Sequence, residues 1–188
     1  MIMKLSLFAR ASGKKSEIKK IRREGNVPGV LYGVKQEAKN IYIQGAELDA
    51  VFRTLKAGLL STTVFTLQEG DKTLKALVKD IHYHPTTYAV QHIDFLMLED
   101  NTPVSVNVPI VVLGASECPG IKLGGFSRQV IRHLEVRCLP KHIPQQFSLS
   151  IHDLQLSQAK RLSDIEVPAS VRPLAKNMKE VAIVIAKR

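Results

Sequence analysis

The sequence has no tryptophan, few other aromatic residues and only two cysteines. Aromatic residues make up 5 % of the 188 positions, which argues against a surface that binds single strands by stacking many successive bases on rings. Cys118 and Cys138 have neither the close spacing of a metal site nor the density of a disulfide framework. We therefore expect both to be buried free thiols.

Long hydrophobic runs are also missing. One of the longest, residues 108–114, is far shorter than the roughly 20 residues that a membrane-spanning helix needs. The apolar stretch at the N-terminus is interrupted by Ser6 and Arg10, whereas a secretory signal has an unbroken apolar region. We expect a soluble, cytoplasmic protein that binds no membrane.

The sequence contains few signs of catalysis. It has no HExxH, no GxSxG and no phosphate-binding loop ending in GKS or GKT, and the glycine-rich residues 120–125 favour a flexible loop. His82 and His84 would point to one face of a strand, and with His92 and Asp94 they form the best candidate for a metal or acid–base site. Because exposed histidines are ordinary where a strand runs into a turn, we predict no enzyme, no metal site and no cofactor.

Positive charge is concentrated near the N-terminus. The net charge is +10, and within residues 1–98 the whole excess lies in one segment that has seven cations and a single acid, Glu17. These cations are Arg10, Lys14, Lys15, Lys19, Lys20, Arg22 and Arg23. Such a patch implies an anionic partner, most commonly nucleic acid, although a merely solvated charge run is the alternative. Few apolar side chains and Gly13 predict a loop that becomes ordered when its charge is neutralised.

Recognition needs rigid groups beside these cations, because phosphate contacts supply affinity without sequence information. Tyr32, Gln91, His92 and Asp94 lie on predicted strands of the same half. Phosphates repel a carboxylate, but Asp94 would fit an RNA site by accepting a hydrogen bond from a base amino group or by holding an arginine. The pattern favours structured RNA, which is read by groove shape and 2′-hydroxyl groups.

The pattern of apolar residues predicts two mostly β halves. A polar stretch at residues 99–103 separates a domain at 1–98 from one at 99–188. In the first half, apolar residues at positions 48, 51, 52 and 55 predict a helix over 47–57. Pro28-Gly29 is interpreted as a turn or the entry to a strand. The predicted strands cover residues 5–8, 30–32, 40–44, 63–68, 73–82, 88–96, 134–138, 147–151 and 181–186.

Several motifs of the chain resemble one known family. Residues 22–33, RREGNVPGVLYG, are followed by His84-Pro85 and then by HIDF at residues 92–95. In this order and separation they resemble bacterial large-subunit ribosomal protein twenty-five. The second half is similar to the additional β-domain of that family's long form, called the CTC or general-stress type.

The resemblance implies a mainly β fold, in which an N-terminal six-stranded β-barrel with one or two helices is followed by a second all-β domain. It implies a structural protein of the large ribosomal subunit, located on the cytoplasmic ribosome, that binds loop E of 5S ribosomal RNA. Neighbouring ribosomal proteins are further candidate partners, and no small-molecule substrate is implied.

The resemblance also assigns roles to residues. Carried over position by position, the groove contacts are Arg10, Arg23, Tyr32, His92 and Asp94, of which Arg23 and Asp94 rank highest. Lys14, Lys15, Lys19, Lys20 and Arg22 are expected to contact phosphates, and Gln91 adds a polar group on the same strand. One alternative is a non-ribosomal structured-RNA-binding or stress-response protein that uses the same barrel. A second is a metal-dependent hydrolase built on the histidines and Asp94.

Overall fold

The chain forms two compact units, Met1–Thr102 and Pro103–Arg188. The structure is a computed structural model that describes residues 3–10, 15–33, 37–56, 58–70, 72–175 and 177–187. Strands account for most of the regular structure, which confirms the predicted mainly β fold.

The first unit is a closed barrel of six strands, as the family resemblance implied. Its strands are β1 (Met3–Ala9), β2 (Asn26–Tyr32), β3 (Lys39–Gln44), β4 (Val64–Glu69), β5 (Lys72–Tyr83) and β6 (Val90–Met97). Around the barrel they follow the order β1-β3-β2-β6-β5-β4. The parallel pairing of β1 with β4 closes the ring, so the sheet has no free edge.

Alternation along each strand separates the barrel interior from its outer face. Leu5 and Leu7 of β1, and Ile93 and Phe95 of β6, are buried, while the residues between them are more exposed. Phe95 meets Phe65 of β4 edge to face, with ring centroids 6.2 Å apart. The side chains that point outward are therefore free for other roles.

The predicted helix in the first unit is present, with shifted ends. This helix, α2, spans Gly45–Thr54, and Leu48 is its fully buried residue. It ends before the predicted position 57 because Leu55 is already extended. Glu47 fixes the helix to the barrel, since its carboxylate accepts hydrogen bonds from the backbone N–H and the hydroxyl of Ser6.

The prediction that the basic segment is a loop was wrong from Lys15 onward. Residues Lys15–Arg23 form a helix, α1, which packs against β2 with Ile18 and Ile21 half-buried. Its residues are mostly good helix formers, and the basic residues of its last turn face the negative end of the helix dipole. Two isoleucines were too few to reveal an apolar stripe in the sequence.

The interpretation of Pro28-Gly29 as a turn or strand entry was also wrong. Both residues lie inside β2, which pairs with β3 on one side and runs parallel to β6 on the other. A Cβ atom on Gly29 would stand 2.6 Å from the carbonyl oxygen of Ile93. Gly29 is therefore needed for the close approach of β2 to β6 and not for a change of chain direction.

The second unit contains two small sheets. One has the order β10-β7-β9-β12, and the other has the order β11-β13-β8. The strands are β7 (Val104–Leu113), β8 (Phe126–Gln129), β9 (His133–Cys138), β10 (Phe147–Ser150), β11 (Ala159–Arg161), β12 (Arg172–Pro173) and β13 (Val181–Ala186). The loop predicted at residues 120–125 instead begins within a short helix, α3 (Pro119–Lys122), because Pro119 suits the first position of a helix.

Both cysteines are buried and free, as predicted. The thiol of Cys118 donates a hydrogen bond to the carbonyl oxygen of Leu154. Within the described ranges, no helix is long and apolar enough to cross a membrane.

We predict that Gly29→Ala destabilises the barrel by about 1–3 kcal/mol, because the added methyl group is forced against the Ile93 backbone. Urea unfolding of the full chain measures this loss. Gly25→Ala is the comparison, since Gly25 has open space around it but a φ of +79°. It should lose less, about 1 kcal/mol, through backbone strain alone. Equal stability of Gly29→Ala and the wild type would contradict the proposed close contact.

Candidate nucleic-acid interface

A line of outward residues crosses five strands of the barrel. The pairing register places Asn40 beside Val30, Val30 beside Asp94, and Asp94 beside Asp80. Arg10 continues this line past the end of β1, since its N–H donates to the carbonyl of Asn40. We call these five residues the aspartate row. Strand spacing puts Arg10 and Asp94 about 14 Å apart along the sheet.

A second line of outward residues carries rings. In the register Phe8 pairs with Tyr42, Tyr42 with Pro28, and His82 with His92. His92 directly precedes Ile93, the partner of Gly29, so it extends the line from Pro28. We call Phe8, Tyr42, Pro28, His92 and His82 the ring row. It lies next to the aspartate row on the same outer face.

Tyr32 is the next outward residue on β2, diagonal to Asp94. Burial, followed by the negative charges of Asp94 and Asp80, raises the pKa of the Tyr32 phenol above its ordinary value of 10.0. The phenol therefore stays neutral at physiological pH and can donate a hydrogen bond as well as accept one. The register places Tyr32 on the same outer face as the two aspartates.

His92 and Asp94 are in close contact. Nδ1 of His92 lies 2.7 Å from Oδ1 of Asp94, and both side chains are about 70 % buried. The contact does not have the direction of a hydrogen bond, so Oδ1 is a buried oxygen without a hydrogen-bond partner among the described residues. Because Asp94 lies against Nδ1, Nε2 is the ring nitrogen of His92 that is not in contact with Asp94.

Arg10 is held from one side. Its Nη2 donates to Oδ1 of Asn40 at 2.9 Å, which fixes the guanidinium near the beginning of β3. Its Nε is buried and, among the described residues, has no acceptor. Arg10 Nε and Asp94 Oδ1 are the two such atoms found in the described ranges, and both belong to the aspartate row.

The helix α1 docks beside this face. Nε and Nη2 of Arg22 donate to the carbonyl oxygen of Gln91 at 3.2 and 3.0 Å, which joins the helix to the beginning of β6. Arg22 therefore positions the helix, in addition to any contact with phosphate. The other cations predicted here and described by the structure are all exposed, namely Lys15, Lys19, Lys20 and Arg23. Lys14 lies outside the described residues.

The candidate hydrolase residues do not assemble as the sequence suggested. His84 begins the β5–β6 turn, where its Nδ1 accepts the backbone N–H groups of Thr86 and Thr87. His82 and His92 lie edge to face, with centroids 6.1 Å apart. Within the described ranges, no three His, Cys, Asp or Glu residues are arranged to hold a metal ion.

Five polar or aromatic residues of the two rows were missing from the residues predicted for RNA. They are Asp80, Asn40, Phe8, Tyr42 and His82. Alternation along β1, β3 and β5 could have placed them on an outer face. Which strands lie side by side is a property of the barrel order, and the sequence pattern does not contain it.

A closed barrel with a basic helix beside a polar outer face is compatible with binding a nucleic acid. Comparison with known proteins identifies the class. Residues 5–95 match the family model of the ribosomal L25p family, and residues 103–188 match that of the C-terminal domain of ribosomal protein TL5.

Full-length relatives agree with these matches. The chain is 45 % identical to large ribosomal subunit protein bL25 of Chlamydia trachomatis serovar L2, over 99 % of this chain and 100 % of the relative. It is 44 % identical to the protein of the same name from Chlamydia muridarum and 42 % identical to that from Chlamydia pneumoniae, with the same coverage. The chain belongs to the ribosomal L25 family, in its long two-domain form, and is a structural ribosomal protein and not an enzyme.

We predict that Asp94→Asn lowers the pKa of Tyr32 toward 10.0 without fully restoring it, because burial is the larger cause of the shift. Absorbance titration of the tyrosines measures this pKa, and Tyr32→Phe identifies which transition belongs to Tyr32. Asp49→Asn, on the exposed side of α2, is the matched control and should leave the titration unchanged.

The same shift predicts a loss of stability at high pH. The folded pKa lies above the unfolded one, so the unfolded chain loses its Tyr32 proton first as pH rises past 10.0. The free energy of unfolding then falls until the folded phenol also ionises.

A Tyr32 titration that is unchanged in Asp94→Asn would show that the carboxylate and the phenol do not interact.

Proposed function

We propose that the protein is a structural component of the large ribosomal subunit that binds 5S ribosomal RNA, at its loop E. In this proposal the protein is located on the cytoplasmic ribosome, and its barrel unit makes the RNA contacts. The observation that carries this proposal is the aspartate row, where two buried polar atoms on Arg10 and Asp94 have no hydrogen-bond partner among the described residues. Such atoms are rare in folded proteins and are expected where a ligand binds.

The basic helix supplies affinity. It carries five cations and one acid in nine residues, and its exposed side chains can neutralise phosphates and release counterions. Because Arg22 and the half-buried isoleucines fix α1 to the barrel, this charge is already ordered before RNA binds. Less conformational entropy is lost on binding than if the segment were a loop.

The strand face supplies selectivity. Asp94 is an acceptor, so it can bind base amino groups or 2′-hydroxyl groups but not phosphates. Tyr32 and His92 Nε2 add groups that hydrogen-bond beside it, and Arg10 adds a planar cation at the other end of the aspartate row. A shallow RNA minor groove displays hydroxyl groups and base edges in a comparable linear arrangement.

The alternative partner is another structured RNA, bound by the same barrel in a non-ribosomal role. Membership of a ribosomal family over the whole chain supports 5S ribosomal RNA instead. Neighbouring ribosomal proteins are candidate partners of the second unit, which carries 12 cations and six acids in residues 103–188.

The direct test is a mobility-shift titration of the full chain against intact 5S RNA and against the same RNA with loop E disrupted. We expect tighter binding to the intact RNA at both low and high salt, because the strand face reads the groove shape. Equal affinity for both RNAs, with a steep salt dependence, would mean that α1 is only an electrostatic patch and would contradict the proposal.

Two arginine variants sharpen this titration. Arg23 and Arg53 are both exposed arginines in the last turn of a helix, on α1 and α2 respectively. Arg23→Gln should weaken binding to intact 5S RNA by roughly 1–3 kcal/mol if its guanidinium makes a groove contact. Arg53→Gln removes the same charge elsewhere and should change binding little.

A further inference from the structure

An exposed pair of aromatic rings occupies one end of the ring row. Phe8 of β1 and Tyr42 of β3 are stacked, with ring centroids 5.1 Å apart and planes 19° from parallel. Phe8 is 37 % exposed even though most large apolar side chains of the barrel are buried. On β1 the barrel core is filled by Met3, Leu5 and Leu7, and the Phe8 ring lies on the outer face.

The stacked pair has an open side. Tyr42 covers one face of the Phe8 ring, and the exposure of Phe8 leaves part of the ring in contact with solvent. Tyr42 is half-buried between Phe8 and Pro28 on the neighbouring strands, so it restricts the position of the Phe8 ring. A rigid, supported ring offers apolar area with little loss of side-chain freedom on binding.

The surroundings of Phe8 fit a nucleic acid. Arg10 lies two residues further along the chain, at the end of the neighbouring aspartate row, with its guanidinium held by Asn40. Two residues before Phe8, Ser6 donates two hydrogen bonds to Glu47, so this carboxylate already has partners. Phe8 therefore lies beside a fixed cation and in one row with His92, which belongs to the candidate interface.

We propose that Phe8, supported by Tyr42, is a stacking platform for one unpaired nucleobase of the bound RNA. This inference rests on the proposed function, because the RNA that reaches Arg10 and His92 also passes Phe8. One pair of rings has room for one base. This agrees with the low aromatic content of the chain, which argues against stacking of many successive bases. Stacking tolerates any base, so the platform adds affinity and does not select a sequence.

The absence of tryptophan permits a direct test. In Phe8→Trp the new indole is the sole tryptophan of the full chain, and a base stacked on it should quench its fluorescence when 5S RNA is added. Phe126→Trp is the matched control, because Phe126 is a 48 % exposed phenylalanine on β8 of the second unit. Its fluorescence should change little. Unquenched Phe8→Trp at saturating RNA would overturn the platform.

Affinity gives an independent readout. Phe8→Leu keeps an apolar side chain but removes the ring, and it should weaken binding to 5S RNA on the order of tenfold. Because no charge changes, the salt dependence should stay as in the wild type. Phe126→Leu should bind as the wild type does, and thermal unfolding checks that both variants are folded. A Phe8→Leu affinity equal to that of the wild type would overturn the platform.

The two proposals fail in different ways. If intact and disrupted 5S RNA bind equally well and both quench Phe8→Trp, the platform stands and loop E is not the site. If the wild type prefers intact 5S RNA while both Phe8 variants behave like their Phe126 controls, the proposed function stands and the platform is wrong.

Discussion

The contact between Gly29 and Ile93 sets the geometry on which the candidate interface depends. It lets β2 lie close against β6 in parallel, in a barrel where β2 also pairs with β3. This placement of β2 connects the β1–β3 side of the barrel with the β6–β5 side. Through these two pairings, Arg10 on one side and Asp94 on the other share a row. The absence of a Cβ on Gly29 permits the close approach of β2 to β6 within that arrangement.

The basic helix is joined to the same two strands, β2 and β6. α1 ends at Arg23, and β2 begins at Asn26, so the helix leaves the barrel where β2 starts. Arg22 then ties α1 to Gln91 at the beginning of the parallel neighbour β6. The cations of α1 are thus fixed to β2 and β6, the strands that carry Tyr32, His92 and Asp94. In the proposed function, α1 therefore supplies affinity and the strand face supplies selectivity, from two elements that are in contact.

Much of the barrel could be predicted from the sequence, because alternation and turn residues are local signals. The strands around Ile41 and Phe95 and the helix containing Leu48 were found in this way. The helix α1 was missed because its stability comes partly from packing on β2, which Ile18 and Ile21 alone do not reveal. Asp80 and Asn40 were missed for a different reason, since their neighbours are set by strand order and register. Tyr32, His92 and Asp94 were predicted first as polar or aromatic groups on strands and then through the family resemblance, and their alignment with Arg10 became visible only in the barrel.

The most direct test of this account is to record backbone amide chemical shifts of the full chain while a 5S RNA fragment carrying loop E is added. The account predicts that shifts change together along both outer rows, from Phe8 and Arg10 across to His92 and Asp94, as well as in α1. The β4 side of the barrel, around Thr66, should change little. Changes confined to α1, with both rows unaffected, would contradict the claim that the barrel face recognises the RNA.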